Sequence, residues 1–223
     1  MTIIAHRGAS GLEPENTLRA FRRAAALGCP WIECDVRLTK DGVPVIIHDA
    51  TVDRATNGRG FVSRISYHVL RKLDAGKGEK IPSLKETLQF AKKNRVRLVL
   101  EIKNPRALKP ILRLVRANGR SPVQFIVSSF SASTIKRAKR LLPLTTALII
   151  ANPVRDWVRA AKQSHADMIH IFAPLVTRKK MEAAHLAGIP IWAWTVNSPA
   201  LAQTLKQKGM DGIFTDHPER FFS

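Results

Sequence analysis

Apolar residues along the chain fall into short continuous runs, separated by stretches in which they recur every three or four positions. The runs at residues 2–5, 31–38, 43–47, 96–102, 123–128, 145–150, 168–171, 189–194 and 212–214 read as strands. Most are separated by amphipathic stretches, at 17–27, 83–93, 108–118, 133–141, 154–163, 178–187 and 199–208, that read as helices. Several of these open on a capping residue or proline and stop near Gly28, Gly119, Gly188 or Gly209. Strands alternating with helices predict a parallel sheet. The strand–helix units number close to eight. An open doubly wound sheet more often has about six strands and a glycine-rich phosphate loop after the first, and that loop is absent. The pattern therefore predicts an α/β fold of the TIM (β/α)8 barrel type. Residues 50–80 break the rhythm with Gly58, Gly60, Gly76, Gly78 and scattered charges. They predict a small insertion after the second strand region. With no repeat or linker, residues 1–223 read as a single barrel domain.

Composition adds limits rather than detail. At 223 residues the chain is near the lower length of such barrels, about 200. With 45% hydrophobic and 24% charged residues it is expected to fold around a sizeable core. Lys and Arg number 37 against 17 Asp and Glu, a formal charge of +20. Such a field draws in anions, whether phosphate esters, nucleic acid or acidic headgroups. Aromatics are only 6%, with one Tyr, so the stacking residues of a single-strand binder are scarce. The charge reads as a generally basic surface, with weak attraction to anionic membranes and no specific nucleic-acid partner. Cys29 and Cys34 lack zinc-site spacing and form no disulfide framework. No apolar run reaches the ~20 residues that span a bilayer, and residues 2–6 already read as a strand entering a turn. The default expectation is cytoplasmic, with oligomeric state open.

In a barrel the chemistry sits at the carboxyl ends of the strands. His6-Arg7-Gly8 follows the first strand, Glu33 and Asp35 lie on the second, His48-Asp49 follows the next extended run, and Glu101 and Lys103 end a later one. Side chains alternate along a strand, so Glu33 and Asp35 share a face, as do Glu101 and Lys103. Three carboxylates converging in a barrel mouth repel one another unless a cation joins them. Oxygen ligands suit Mg²⁺ or Ca²⁺ rather than zinc. Arg7 and Lys103 add positive charge for an anionic substrate. Alone, each element is commonplace. A lone His after a strand is more often a packing residue, and Glu-x-Lys is common by chance. The joint placement carries the argument.

An ordered set of motifs then resembles the glycerophosphodiester phosphodiesterase family over nearly the whole chain. His6-Arg7-Gly8 followed by Pro14-Glu15-Asn16-Thr17, Glu33-Cys34-Asp35-Val36 and His48-Asp49 are similar to its opening elements. Asp53, Arg54, Thr56-Asn57-Gly58 and Gly60 resemble the start of its insertion, and Ile81-Pro82-Ser83-Leu84 the element after it. Glu101-Ile102-Lys103, Ser129-Phe130, Trp194-Thr195-Val196-Asn197 and the closing run from Asp211 to Pro218 complete the series. The resemblance implies a divalent cation, Mg²⁺ or Ca²⁺, on Glu33, Asp35 and Glu101. It implies His6 and His48 as general acid and base, Arg7 and Lys103 on the phosphate, and Trp194 as an apolar wall. Asn16 and Asn197 would support the site, and Thr215 and Asp216 would close the last strand. His68, His165, His170 and His185 match no motif and read as surface or packing residues.

The implied reaction is metal-dependent hydrolysis of a small-molecule glycerophosphodiester to glycerol 3-phosphate and an alcohol. Which histidine is acid and which base stays open, as does the nucleophile, water or the glycerol 2-hydroxyl. One rival is a lysophospholipase D-type enzyme on the same scaffold. The other is a non-catalytic basic barrel that binds nucleic acid.

Overall fold

The computed structural model describes residues 1–117, 125–153 and 156–222. Strands β1 (Thr2–Ala5), β2 (Trp31–Leu38), β4 (Arg97–Ile102), β5 (Phe125–Ser129), β6 (Thr145–Ile150), β7 (Met168–Phe172), β8 (Ile191–Trp194) and β9 (Gly212–Thr215) pair in parallel. The order β1-β9-β8-β7-β6-β5-β4-β2, with β1 also pairing β2, closes the barrel. The predicted strand at 43–47 is real but lies outside it. β3 (Pro44–Ile46) returns antiparallel against the end of β2. The five residues between β2 and β3 allow only a hairpin-like return, whereas a parallel partner needs a crossover.

Helices α1 (Leu18–Ala26), α3 (Leu84–Asn94), α4 (Leu108–Ala117), α5 (Ala132–Leu141), α6 (Trp157–Ser164), α7 (Arg178–Leu186) and α8 (Pro199–Gln207) follow the strands. Their starts have local causes. The Thr17 hydroxyl accepts from the Ala20 amide, and Ser83 and Glu86 form a reciprocal capping box. Ser198 caps α8, with Pro199 at its first position. The predicted stop at Gly119 and the starts at 123 and 154 lie outside the described residues.

Apolar residues on the outer faces of the strands pack beneath the helices in two large clusters, one around Phe21, Leu98 and Ile111, the other around Ile169, Met181 and Ile191. Inward-facing Ile4, Trp31, Val99, Ile126, Ala147, Met168, Trp192 and Phe214 plug the barrel from below. The interior is thus filled, and only its upper end is left for chemistry. Residues 50–80 are more built than their composition suggests. A 3-10 turn (Val62–Arg64) and α2 (Tyr67–Leu70) cover a small cluster of Val45, Val52, Val62, Leu70 and Ile81.

Candidate active site

The turn after β1 is shaped by glycine. Gly8 has φ +81, and a Cβ there would meet the Ala20 backbone and side chain at 2.7 Å. Arg7 itself sits at φ 55 and Asn16 at φ 57, left-handed positions that cost a non-glycine residue roughly 1 kcal/mol. Hydrogen bonds hold them there. The Arg7 amide donates to Glu33 Oε2 at 2.9 Å, and the Asn16 amide to the Arg7 carbonyl at 3.0 Å.

Parallel register sets Asp35 opposite Glu101 and Glu101 opposite Ser128. Glu33, two residues before Asp35, faces the same interior. The three carboxylates each offer one oxygen, all within 4.8 Å of one another. Glu33 and Asp35 are buried and Glu101 is half-buried. Burial, then the Asp35 charge, pushes Glu33 and Glu101 above the ordinary carboxylate range. Burial also opposes ionisation of Asp35, but Lys103 and Arg7 outweigh it and hold that carboxyl low. Lys103 Nζ lies 2.9 Å from Asp35 Oδ1 and 2.5 Å from Glu101 Oε1, and Arg7 Nε 3.3 Å from Asp35 Oδ2. Asn16 Nδ2 donates to Asp35 Oδ2 at 2.8 Å. Glu33 Oε1 is buried without a hydrogen-bond partner. An orphaned carboxylate oxygen beside two others is a donor set that fits a hard divalent cation.

Each of two histidines has a carboxylate on one ring nitrogen. His6 Nδ1 lies 2.7 Å from Asp216 Oδ1, and His48 Nδ1 lies 2.6 Å from Asp49 Oδ1. A carboxylate at Nδ1 fixes the proton there and turns Nε2 outward. His6 Nε2 stands 4.0 Å from Glu33 Oε2. Burial works against protonation of His6, but the Asp216 hydrogen bond and the Glu33 charge raise its pKa above the ordinary value. At His48 burial wins and the pKa falls. Arg54, from the 50–80 segment, ties these parts together. It donates to Asp49 Oδ2 at 2.6 Å and to both Glu15 oxygens at 2.7 and 3.0 Å, while Glu15 also accepts from Arg7 at 3.1 Å.

One cleft of about 180 Å³ takes in His6, Arg7, Glu33, His48, Glu101, Lys103 and Trp194. Of the residues predicted to bind metal or phosphate or to catalyse, Asp35 lies behind the lining, reached through Arg7 and Lys103, and the supporting Asn16 and Asn197 also stand outside it. Trp194 packs against Phe172 and Phe130 at ring-centroid distances of 5.2 and 6.2 Å. Several groups went unread in the sequence. Asp216 is not merely a strand-closing residue. It bonds His6, and it is held by Ser10 at 3.0 Å and Asn197 Nδ2 at 2.8 Å. His170 and Ser128 join the cleft lining. For all three the usable signal was position at the carboxyl end of a barrel strand. His217 pairs with Glu219.

Comparison with known proteins gives a concordant picture. A model of the Glycerophosphoryl diester phosphodiesterase family matches residues 6–220. The chain is 36% identical to a glycerophosphodiester phosphodiesterase of Caldanaerobacter subterraneus subsp. tengcongensis, over 97% of this chain and 94% of that one. It is 32% identical to one of Bacillus altitudinis, over 98% and 95%. Among solved structures it resembles an Oleispira antarctica phosphodiesterase in complex with the product sn-glycerol-3-phosphate, at 29% identity and TM-score 0.95, covering 99% of this chain and 94% of that one. It also resembles a glycerophosphodiester phosphodiesterase from Agrobacterium tumefaciens, at 29% identity and TM-score 0.87, covering 99% of each.

Proposed function

The chain belongs to the glycerophosphoryl diester phosphodiesterase family, and from that membership we propose that it hydrolyses small glycerophosphodiesters to glycerol 3-phosphate and an alcohol, with a divalent cation on Glu33, Asp35 and Glu101. The observation that carries the reading is the convergence of three carboxylate oxygens within 4.8 Å, beside two histidines that each hold a carboxylate on Nδ1. Mg²⁺ or Ca²⁺ fits oxygen donors of this kind, and when bound it would neutralise charge growing on the phosphoryl oxygens.

The remaining work falls to side chains. Arg7 and Lys103, already facing the carboxylates, hold the phosphate and extend the positive field over it. His6 is kept towards its protonated form by Asp216 and Glu33, which suits it to protonate the departing alkoxide. His48 is kept towards its neutral form by burial, which suits it to take the proton from the nucleophile. Such transfers are each typically worth ~10²–10⁴-fold in rate. Trp194 forms an apolar wall for the organic part of the substrate. Residues 1–223 act as one catalytic unit, with residues 50–80 at its mouth contributing Arg54. Among the described residues no helix is long and apolar enough to cross a membrane, and we place the activity in the cytoplasm.

The test is a panel of glycerophosphodiesters and lysophospholipids given to purified protein, with glycerol 3-phosphate and released alcohol measured before and after chelation. Activity on the small diesters that is lost on chelation and restored by Mg²⁺ or Ca²⁺ is the expected result. Full activity with no metal found by elemental analysis would overturn the three-carboxylate site. A strong preference for lysophospholipids would move the assignment to a lysophospholipase D-type enzyme.

A further inference from the structure

The cleft holds a second chemistry beside the carboxylates. One wall runs from Ser128 on β5, the register neighbour of Glu101, through Ile149 on β6, His170 on β7 and Trp194 on β8 to Phe214 on β9. Register sets His170 beside Ile149 on one side and Trp192 on the other. Alternation from Met168, which plugs the barrel below, turns the His170 side chain into the interior. There its ring lies flat on Trp192, with centroids 5.5 Å apart and 5° between the planes. It meets Phe214 edge-on at 4.8 Å. His170 is 2% exposed, and its Nε2 has no hydrogen-bond partner. Burial alone acts on its titration and pushes the pKa down to about 3, which keeps the ring neutral near pH 7.

Packing does not account for this residue. An aromatic hydrocarbon would fill the same slot against Trp192 and Phe214 without stranding a polar nitrogen. A neutral imidazole both donates and accepts. Ser128, 1% exposed, supplies a hydroxyl with the same double capacity to the same wall. The lining between them is apolar, so the wall suits an uncharged hydroxyl. It offers no cation to a phosphate or carboxylate, and a trimethylammonium group could not hydrogen-bond to it.

We propose that His170, with Ser128 on the same wall, is a specificity-determining residue that hydrogen-bonds the terminal hydroxyl of the substrate's glycerol moiety, the hydroxyl farthest from the phosphate. This rests on the reading of the cleft as a glycerophosphodiester hydrolase. With the phosphate on Arg7 and Lys103, the hydroxyl on the middle carbon is tethered near the charged wall. The terminal one extends from it and can reach the wall that carries His170.

The experiment compares choline release from glycerophosphocholine with release from propane-1,2-diol phosphocholine. The second diester keeps the hydroxyl on the middle carbon and lacks only the terminal one. Wild type is expected to favour the glycerol substrate by about 10- to 100-fold in kcat/KM. His170→Phe should erase most of that preference through KM, leaving turnover of the diol substrate near its wild-type value. His170→Asn should retain part of it, and Ser128→Ala should lose a smaller share. A His170→Phe enzyme that keeps the full preference overturns the proposal. So does a wild type that cleaves both diesters equally, a result that needs no variant to fold and leaves the hydrolase reading intact. A wild type that cleaves neither, nor any other glycerophosphodiester, removes the hydrolase reading and this proposal with it.

Discussion

The wall of the cleft that carries His6 and His48 and the wall that carries His170 use one residue type in opposite ways. On the first, each imidazole has a carboxylate within 2.7 Å of Nδ1 and stands among charged neighbours. On the second, the imidazole lies between aromatic rings with a stranded nitrogen and no charge to answer it. His6 is largely buried, as His170 is, and His48 is half-buried, so burial alone does not separate the two roles. Partners do. Paired burial leaves a histidine able to exchange a proton near neutral pH, and unpaired burial removes its charge altogether. One barrel mouth thereby presents a charged half for the phosphate and a neutral half for the organic moiety.

The largest expected effect is on the charged wall. Asp35→Asn or Glu101→Gln should lower turnover by about 1,000-fold or more, because charge stabilisation worth several kcal/mol goes with the cation. Calorimetric titration with Mg²⁺ or Ca²⁺ should show binding lost in either variant while circular dichroism stays unchanged. Tight binding retained by both would place the cation elsewhere. Next come the paired histidines, where His6→Ala and His48→Ala should each cost about 100- to 10,000-fold. A glycerophosphodiester with a nitrophenolate leaving group separates them, since such a group departs without a proton. It should rescue His6→Ala and leave His48→Ala impaired. The reverse pattern would exchange acid and base.

A smaller effect, about 10- to 100-fold in kcat, is expected for Asp216→Asn, which keeps the shape and removes the charge behind His6. Asp216 raises the His6 pKa, so its loss lowers it. If His6 acts protonated, the high-pH limb of the kcat profile moves to lower pH, with KM little changed. A uniform loss at every pH would make Asp216 a structural prop.

Much of the charged wall was legible in the sequence because its parts are local. Glu33 and Asp35 share one strand, Glu101 ends another with Lys103 just past it, and alternation alone predicts each pair on a face. The His6–Asp216 pair was not legible in that way. Its members are 210 positions apart and meet only because β1 closes the barrel against β9. His170 was missed for a different reason. Periodicity puts it inside a strand, where a histidine reads as packing, and nothing in the local sequence shows that its ring lacks a partner. The strand at 43–47 was found by its apolar run, but a run carries no direction. Its antiparallel return beside β2 had to come from the fold.

The smallest effect per unit change concerns the neutral wall and stability. In the folded chain the His170 pKa is about 3, against about 6.5 for an unfolded histidine. The unfolded state therefore binds the extra proton across that window. Stability is fully present above about pH 6.5 and falls as the solution is acidified towards pH 3, by at most about 1.4 kcal/mol per pH unit from this one group. His170→Phe removes the titrating group and keeps an aromatic ring against Trp192. Urea midpoints measured from pH 7 to pH 4 should thus fall less steeply in the variant than in wild type. The shallower slope should persist in saturating salt, because it reflects desolvation rather than a screened ion pair. Parallel slopes in the two proteins would mean that His170 already carries a partner for its charge, and the contrast between the two walls would then rest on His6 and His48 alone.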